Sequence, residues 1–284
     1  MEALALVMDR VMPLAEPWLL GVAFMCVMTA IELVRPHEAQ SIPGRLPGLL
    51  FWLLGIPVAL AAHALYRALW ERIGLAPVDP FAWMPDMGGW AVVAGALAAP
   101  VVGAAIYDFF FYWFHRAQHR WFWRFHAVHH SIRELNAVNA YHHVSEPLFQ
   151  MLFLLLPASL IAVEGAHVVP LMGLMLQAQA SFIHSAARVE IGPLRAAIVD
   201  NRFHRIHHSL EERHFDRNFG AFTTLWDRMF GTAWVPAQDE WPATGLAEIA
   251  PPRSVCEWID LPARIAHSGA APTGTAETGA ATVI

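Results

Sequence analysis

The chain has no lysine: all 18 of its basic residues are arginine. Cysteine is nearly as scarce. Cys26 and Cys256 lie far apart, Cys26 inside an apolar run, so no disulfide framework organises the fold. There is no C-x-x-C pair for zinc or thiol redox chemistry, and no H-E-x-x-H to give a zinc protease its general base. Charge of either sign is thin, at 15% of 284 residues, against about 25% in an ordinary soluble domain. The net charge of −6 excludes a basic nucleic-acid footprint. Apolar residues take up the difference, at 56%, with a mean hydropathy of +0.40 and 12 tryptophans. That balance predicts an all-α integral membrane bundle with aromatic residues at the interface.

Along the chain, apolar runs over 17–34, 46–69 and 90–114 read as spans. The first is flanked by Glu2, Asp9 and Glu16 beside a single Arg10. No small-residue cleavage site follows it, so it reads as a retained span rather than a signal peptide. Pro57 is expected to kink the second. The apolar stretch 148–183 is broken near Glu164, Gly165 and Pro170 into halves of about 16 and 14 residues. Each is short of the roughly 20 needed to cross, so a helical hairpin is expected. The organisation is therefore N-terminal spans over 1–114, a first histidine segment over 115–147, a membrane hairpin over 148–183, a second histidine cap over 184–262, and a disordered Gly/Ala/Thr-rich tail over 263–284. The bundle has about four spans, or two spans plus hairpins, under a cytosolic cap. Placing the histidines in the cytoplasm puts fifteen arginines on that side against Arg10, Arg67 and Arg72 opposite, as the positive-inside rule requires. In a bacterium this would be the inner membrane.

The histidines carry the chemistry. His115 and His119 form H-x-x-x-H; His126, His129 and His130 form H-x-x-H-H; and His204, His207 and His208 repeat it. These spacings put each set on one helix face. On one straight helix His115 and His130 would lie ~22 Å apart, too far for one centre. A break near 120–123 is expected, folding the two motifs together. Burying so many imidazoles without a metal would strand their polar atoms. Ligation by histidine alone suits iron, copper, zinc or nickel, and about ten imidazoles suit two ions. Asp108 lies two turns before His115 on the same face. A carboxylate inside a span needs a partner, and a ligand imidazole is the natural one. Asn136, Asp200, Asn201 and Asp227 are weaker candidates for the same duty, with a helix cap or turn as the alternative. His37, His63, His167, His214 and His267 read as ordinary.

At these residues the chain resembles the fatty acid hydroxylase superfamily, in its sterol desaturase branch of integral-membrane non-haem di-iron oxygenases. The likeness spans about 100–235. It rests on Asp108 through His115-Arg116 with His119, and on His126-Ala-Val-His129-His130-Ser. Asn136 and Tyr141-His142-His143 with Glu146 follow. Phe182-Ile-His184-Ser, Phe203-His204-Arg-Ile-His207-His208-Ser, Asn218-Phe-Gly220 and Leu225-Trp-Asp227-Arg-Met-Phe-Gly231-Thr complete it. The resemblance implies His115, His119, His126, His129, His130, His143, His184, His204, His207 and His208 as ligands of two irons. Asp108, Asn136, His142, Glu146, Asp200 and Asp227 would stand behind them. The family pattern favours His143 over His142, but His143 is followed here by Val144 where many relatives have proline, so the choice stays open. The implied reaction is O2-dependent oxidation of an unactivated C–H bond of a sterol, fatty acyl, sphingoid, ether-lipid or carotenoid substrate. Electrons would come from NAD(P)H through a ferredoxin or b-type cytochrome. Desaturation begins with the same hydrogen abstraction and is the alternative. A membrane metal transporter is the rival from another class.

Overall fold

The computed structural model describes residues 19–74, 78, 89–161 and 168–268. Glu164 and Gly165 of the expected hairpin break lie outside them, as does the end of the tail. The described residues are helical, with isolated bridges and no strands. In chain order they form α1 (Leu19–Val34), α2 (Ile42–Ile73), α3 (Gly89–Trp121), α4 (Trp123–His130), α5 (Glu146–Ala158), α6 (Val168–Ile183), α7 (Asn201–His207), α8 (Leu225–Met229) and α9 (Val255–Ser268).

By length and composition, α2 and the Val93–Trp121 part of α3 are long and apolar enough to cross a membrane. Most of α2 is exposed, as a lipid-facing helix would be. Ser41 caps its start, its hydroxyl accepting from the Gly44 amide, and Pro43 sits in the first turn, where its missing N–H costs nothing. The expected spans 46–69 and 90–114 fall inside these two helices. The boundary drawn at 114 is not a helix boundary: α3 runs on through His115 and His119. Of the first expected span the described residues hold α1, which over those residues is apolar but shorter than 18 residues. Residues 263–268, expected in the tail, are instead the end of α9, because Leu261 and Ile265 bury an apolar face there.

The cap core joins α4, α9 and the 132–141 segment through Trp123, Val128, Ile132, Leu135, Tyr141, Trp258, Leu261 and Ile265. Burying such side chains contributes roughly 1.5–3 kcal/mol each. Close contacts join the N-terminal helices to the histidine-bearing segments. Gly48 of α2 lies so close to the 138–139 backbone that any Cβ would collide with the Val138 carbonyl. Buried Glu32 of α1 accepts from the Ala137 and Ala186 amides, both at 2.8 Å, and pairs with Arg45 at 2.7 Å. Farther round, Arg205 grips both carboxylate oxygens of Glu38 at 2.8 Å. His37 stacks on Trp241 with centroids 3.9 Å apart. α5 starts beside α3, and α6 ends at His184, so both ends of the expected hairpin lie at the level of the histidines.

Candidate metal centre

The expected break falls at Phe122, whose φ of −118° and ψ of 21° leave the helical region between α3 and α4. The chain turns there and brings α4 back against α3. The His115 and His126 Nε2 atoms come within 2.9 Å, and those of His119 and His130 within 3.2 Å.

Two groups of imidazoles result. His115, His119, His126, His130 and His207 form one; His129, His184, His204 and His208 form the other. Within each group the potential ligand atoms all lie within 4.8 Å of one another, and every residue is buried. Each H-x-x-H-H motif is shared out between them. The i and i+4 histidines of α4 enter the first group and the i+3 histidine crosses to the second; the second motif does the reverse. The groups abut, with His130 and His208 stacked at 4.6 Å and His207 edge-on to His208 at 5.4 Å.

Proton positions follow from the outer nitrogens. Carbonyl oxygens can only accept, so an Nδ1 bonded to one carries the proton and leaves Nε2 bare. His115 donates in this way to Phe219 O (2.8 Å), His129 to Tyr141 O (3.0 Å), His184 to Ala180 O (2.8 Å) and His207 to Arg217 O (2.8 Å). His119 donates to the Asp216 carboxylate at 3.1 Å. The bare Nε2 atoms of His129 and His184 then face each other at 3.3 Å with no proton between them. The His207 Nε2 is buried with no partner, as are the Nδ1 atoms of His126, His204 and His208. The opposed lone pairs and the stranded His207 Nε2, at about 1–3 kcal/mol each, are what a cation in each group would relieve. The donor set therefore fits two metal ions. Burial, and then the neighbouring imidazoles, hold His126, His129, His130, His204, His207 and His208 well below the usual histidine pKa. Burial also takes His184 down to about 4. All are thus in the neutral, ligating form at pH 7.

The centre opens on a cavity of about 420 Å³ between α2, α3, α5 and α6, with Phe51, Trp52, Phe111 and Leu176 among its walls. The fatty acid hydroxylase family model matches residues 100–232, which hold every histidine of both groups. Residues 100–232 are thus similar to the fatty acid hydroxylase family. Alkylglycerol monooxygenase of Danio rerio is 33% identical over 141 residues, 47% of this chain and 30% of that protein. The same enzyme of Homo sapiens is 28% identical over 127 residues, 44% of this chain and 28% of its own length. Ornithine lipid hydroxylase OlsE of Rhizobium tropici is 33% identical over 139 residues, 46% of this chain and 40% of that protein. The matched stretch thus spans less than half the length of these relatives. No solved structure matches the chain.

The fold does not bring every candidate to the centre. His143 turns away: its Nδ1 meets Ser145 Oγ at 2.8 Å and its Nε2 the Ile259 carbonyl at 3.3 Å. His142 takes the inner position, stacked on His129 with centroids 3.8 Å apart, and burial lowers its pKa to about 3. It belongs to neither group. Asp108 bonds no imidazole either. Its carboxylate accepts from the Ala221, Phe222 and Thr223 amides, each at 2.9 Å. Asp227 accepts from the Phe219 and Gly220 amides at 2.8 Å. Five successive amides are thereby held by two carboxylates, and the loop they fix offers the Phe219 carbonyl to His115. A Cβ on Gly220 would run into the Thr223 carbonyl, so the loop needs glycine there.

The remaining candidates play structural parts. Asp200 caps α7, accepting from the Phe203 amide at 2.7 Å, and pairs with Arg195 at 3.2 Å. Asn201 donates to the Ser185 and Ala187 carbonyls beside His184. Asn136 closes its own turn and bonds Gln40 and Glu134, away from the histidines. Glu146 lines the cavity, accepting from Gln118 and Gln150. His214 is an ordinary buried histidine between Ser209 and Glu240. Asp216 escaped sequence reading because it carries no motif. Its left-handed φ of 54°, with 59° at Asn218 two residues on, is the local mark of the turn that aims it at His119.

Proposed function

We propose that this chain is a membrane-bound di-iron monooxygenase that inserts one atom of O2 into a C–H bond of a lipid. The other oxygen atom leaves as water, with two electrons and two protons supplied by a donor of the ferredoxin or b-type cytochrome kind. The observation that carries the reading is the pair of abutting imidazole groups, with protons locked on five of their nine outer nitrogens, beside a cavity walled by Phe51, Trp52 and Phe111. His115, His119, His126, His130 and His207 would hold one iron and His129, His184, His204 and His208 the other. His142 stacks alongside, and His143 has no ligand role. When bound, the irons supply O2 reduction and hydrogen abstraction, which no side chain here can perform.

The chain's own part is placement. The outer hydrogen bonds of His115, His119, His129, His184 and His207 keep those Nε2 atoms aimed inward and in the ligating tautomer. Phe51, Trp52 and Phe111 keep bulk water from the reacting carbon. α2 and α3 would span the membrane, with the histidine side in the cytoplasm. The substrate class follows the relatives, whose names place an alkylglycerol and an ornithine lipid as their substrates. Both are polar-headed lipids with long alkyl chains, and we assign this chain to lipids of that kind.

The test is lipid mass spectrometry on a host with and without the gene. A lipid that gains one oxygen atom is expected with the wild-type chain and not with His129→Ala or His207→Ala, which each remove a ligand from a different group. Oxidation that persists in either variant rejects the assignment, and a product lacking two hydrogens with no added oxygen makes the chain a desaturase.

A further inference from the structure

Among the polar side chains that line the cavity, one carboxyl stands with two amides on the elements that border the histidine groups. Glu146, at the first turn of α5, is buried to 4% exposure and faces into the cavity with Gln118 of α3 and Gln150 of α5. The Gln118 amide donates to both Glu146 oxygens, at 3.0 and 2.9 Å, and Gln150 reaches Oε1 at 3.3 Å. A carboxylate offers about four acceptor sites. Three are in use, and the free one lies on Oε2. Gln118 is three residues after His115 on the same face, about 4.5 Å along the helix.

A buried carboxyl with an acceptor site left unfilled is costly unless something uses it. Clamping α3 to α5 would need only the Gln118 bond, and a neutral residue could make it. We propose that Glu146 is a specificity residue: its free acceptor site takes a hydrogen bond from an O–H or N–H of the lipid, and so sets the carbon that meets the metal groups. This rests on the monooxygenase reading and sharpens it. The substrate is a lipid oxidised within a few bonds of a hydrogen-bond donor, rather than one oxidised far along a plain hydrocarbon chain.

The experiment uses the full iron-loaded chain in detergent with two probes, 1-O-hexadecylglycerol and its 2,3-di-O-methyl ether, which has the same chain and no donor. Binding and turnover are measured separately. Wild type is expected to favour the free glycerol by about 10- to 100-fold in affinity, the range for a hydrogen bond to a charged group. Glu146→Gln, which keeps an oxygen for Gln118, should bring that ratio to within a few-fold with thermal stability retained. If Glu146→Gln does not fold, Glu146→Asp, with its acceptor drawn back by one methylene, should reduce the ratio by an intermediate factor. Equal binding of both probes by wild type overturns the proposal, as does a ratio unchanged in the variant that folds. Discrimination in binding without oxidation of either probe supports it and counts against the monooxygenase reading.

Discussion

At the residue scale, what separates a buried histidine from a ligand is the commitment of its outer nitrogen. Asp108 shows how far back that commitment reaches. It touches no imidazole, yet the three amides it holds fix the loop whose Phe219 carbonyl sets the His115 proton. Asp108→Leu strands those amides, at about 1–3 kcal/mol each. It is expected to lower the denaturation midpoint sharply and to weaken metal binding in the first group by about 10- to 100-fold, the usual effect of disturbing the partner of a ligating histidine. Asp108→Asn keeps one acceptor oxygen and should fall between. Iron titration of the three proteins decides it; equal affinity in all of them removes Asp108 from the centre's support.

At the element scale, the short α7 carries His204 and His207, with His208 at its C-terminal end, and so feeds both groups. A helix of under two turns has little stability of its own, so its cap matters more than usual. Asp200→Ala removes the bond to the Phe203 amide and the Arg195 pair. The cap alone is worth roughly 0.5–2 kcal/mol. The expected outcome is a lower unfolding midpoint together with weaker iron binding, and Asp200→Asn or Asp200→Ser should restore most of both. Failure of either conservative variant to rescue would show that the ion pair, not the cap, fixes α7.

The same elements show what can be read before any coordinates. The turn at Phe122 is legible because 1.5 Å per residue cannot join His115 to His130 in one centre. The sharing of each H-x-x-H-H motif between two groups is not, because helical spacing gives a face and not the number of partners across it. Neither is the His142 and His143 choice. Outside helices, neighbouring side chains leave on opposite sides, so one of the two points inward. Which one depends on where the 139–143 segment is anchored, by Gly48 and by the Trp258 indole donating to the His142 carbonyl. Asp108 is legible as a buried charge needing partners, but its partners are backbone amides of irregular chain more than a hundred residues away, which no side-chain pattern announces.

At the scale of the whole molecule, so many buried neutral imidazoles couple folding to pH. An imidazole whose pKa is depressed in the fold binds protons more readily in the unfolded chain, whose value is about 6.5. Its contribution to stability is therefore complete above that value and is lost as the pH falls through it, by about 1.4 kcal/mol per pH unit for each such group. His126, His129, His130, His204, His207 and His208 all shift in this direction. The metal-free protein in detergent should therefore lose stability steeply below about pH 6.5, with more than one proton taken up per unfolding event. Bound iron competes with those protons for the same Nε2 atoms. Loading it should move the steep region to lower pH, and a chelator should move it back. Denaturation midpoints of both forms across this range measure it. A metal-free protein equally stable on both sides of pH 6.5 would mean that these imidazoles are not buried and neutral together, and the paired-ligand geometry would fail with them.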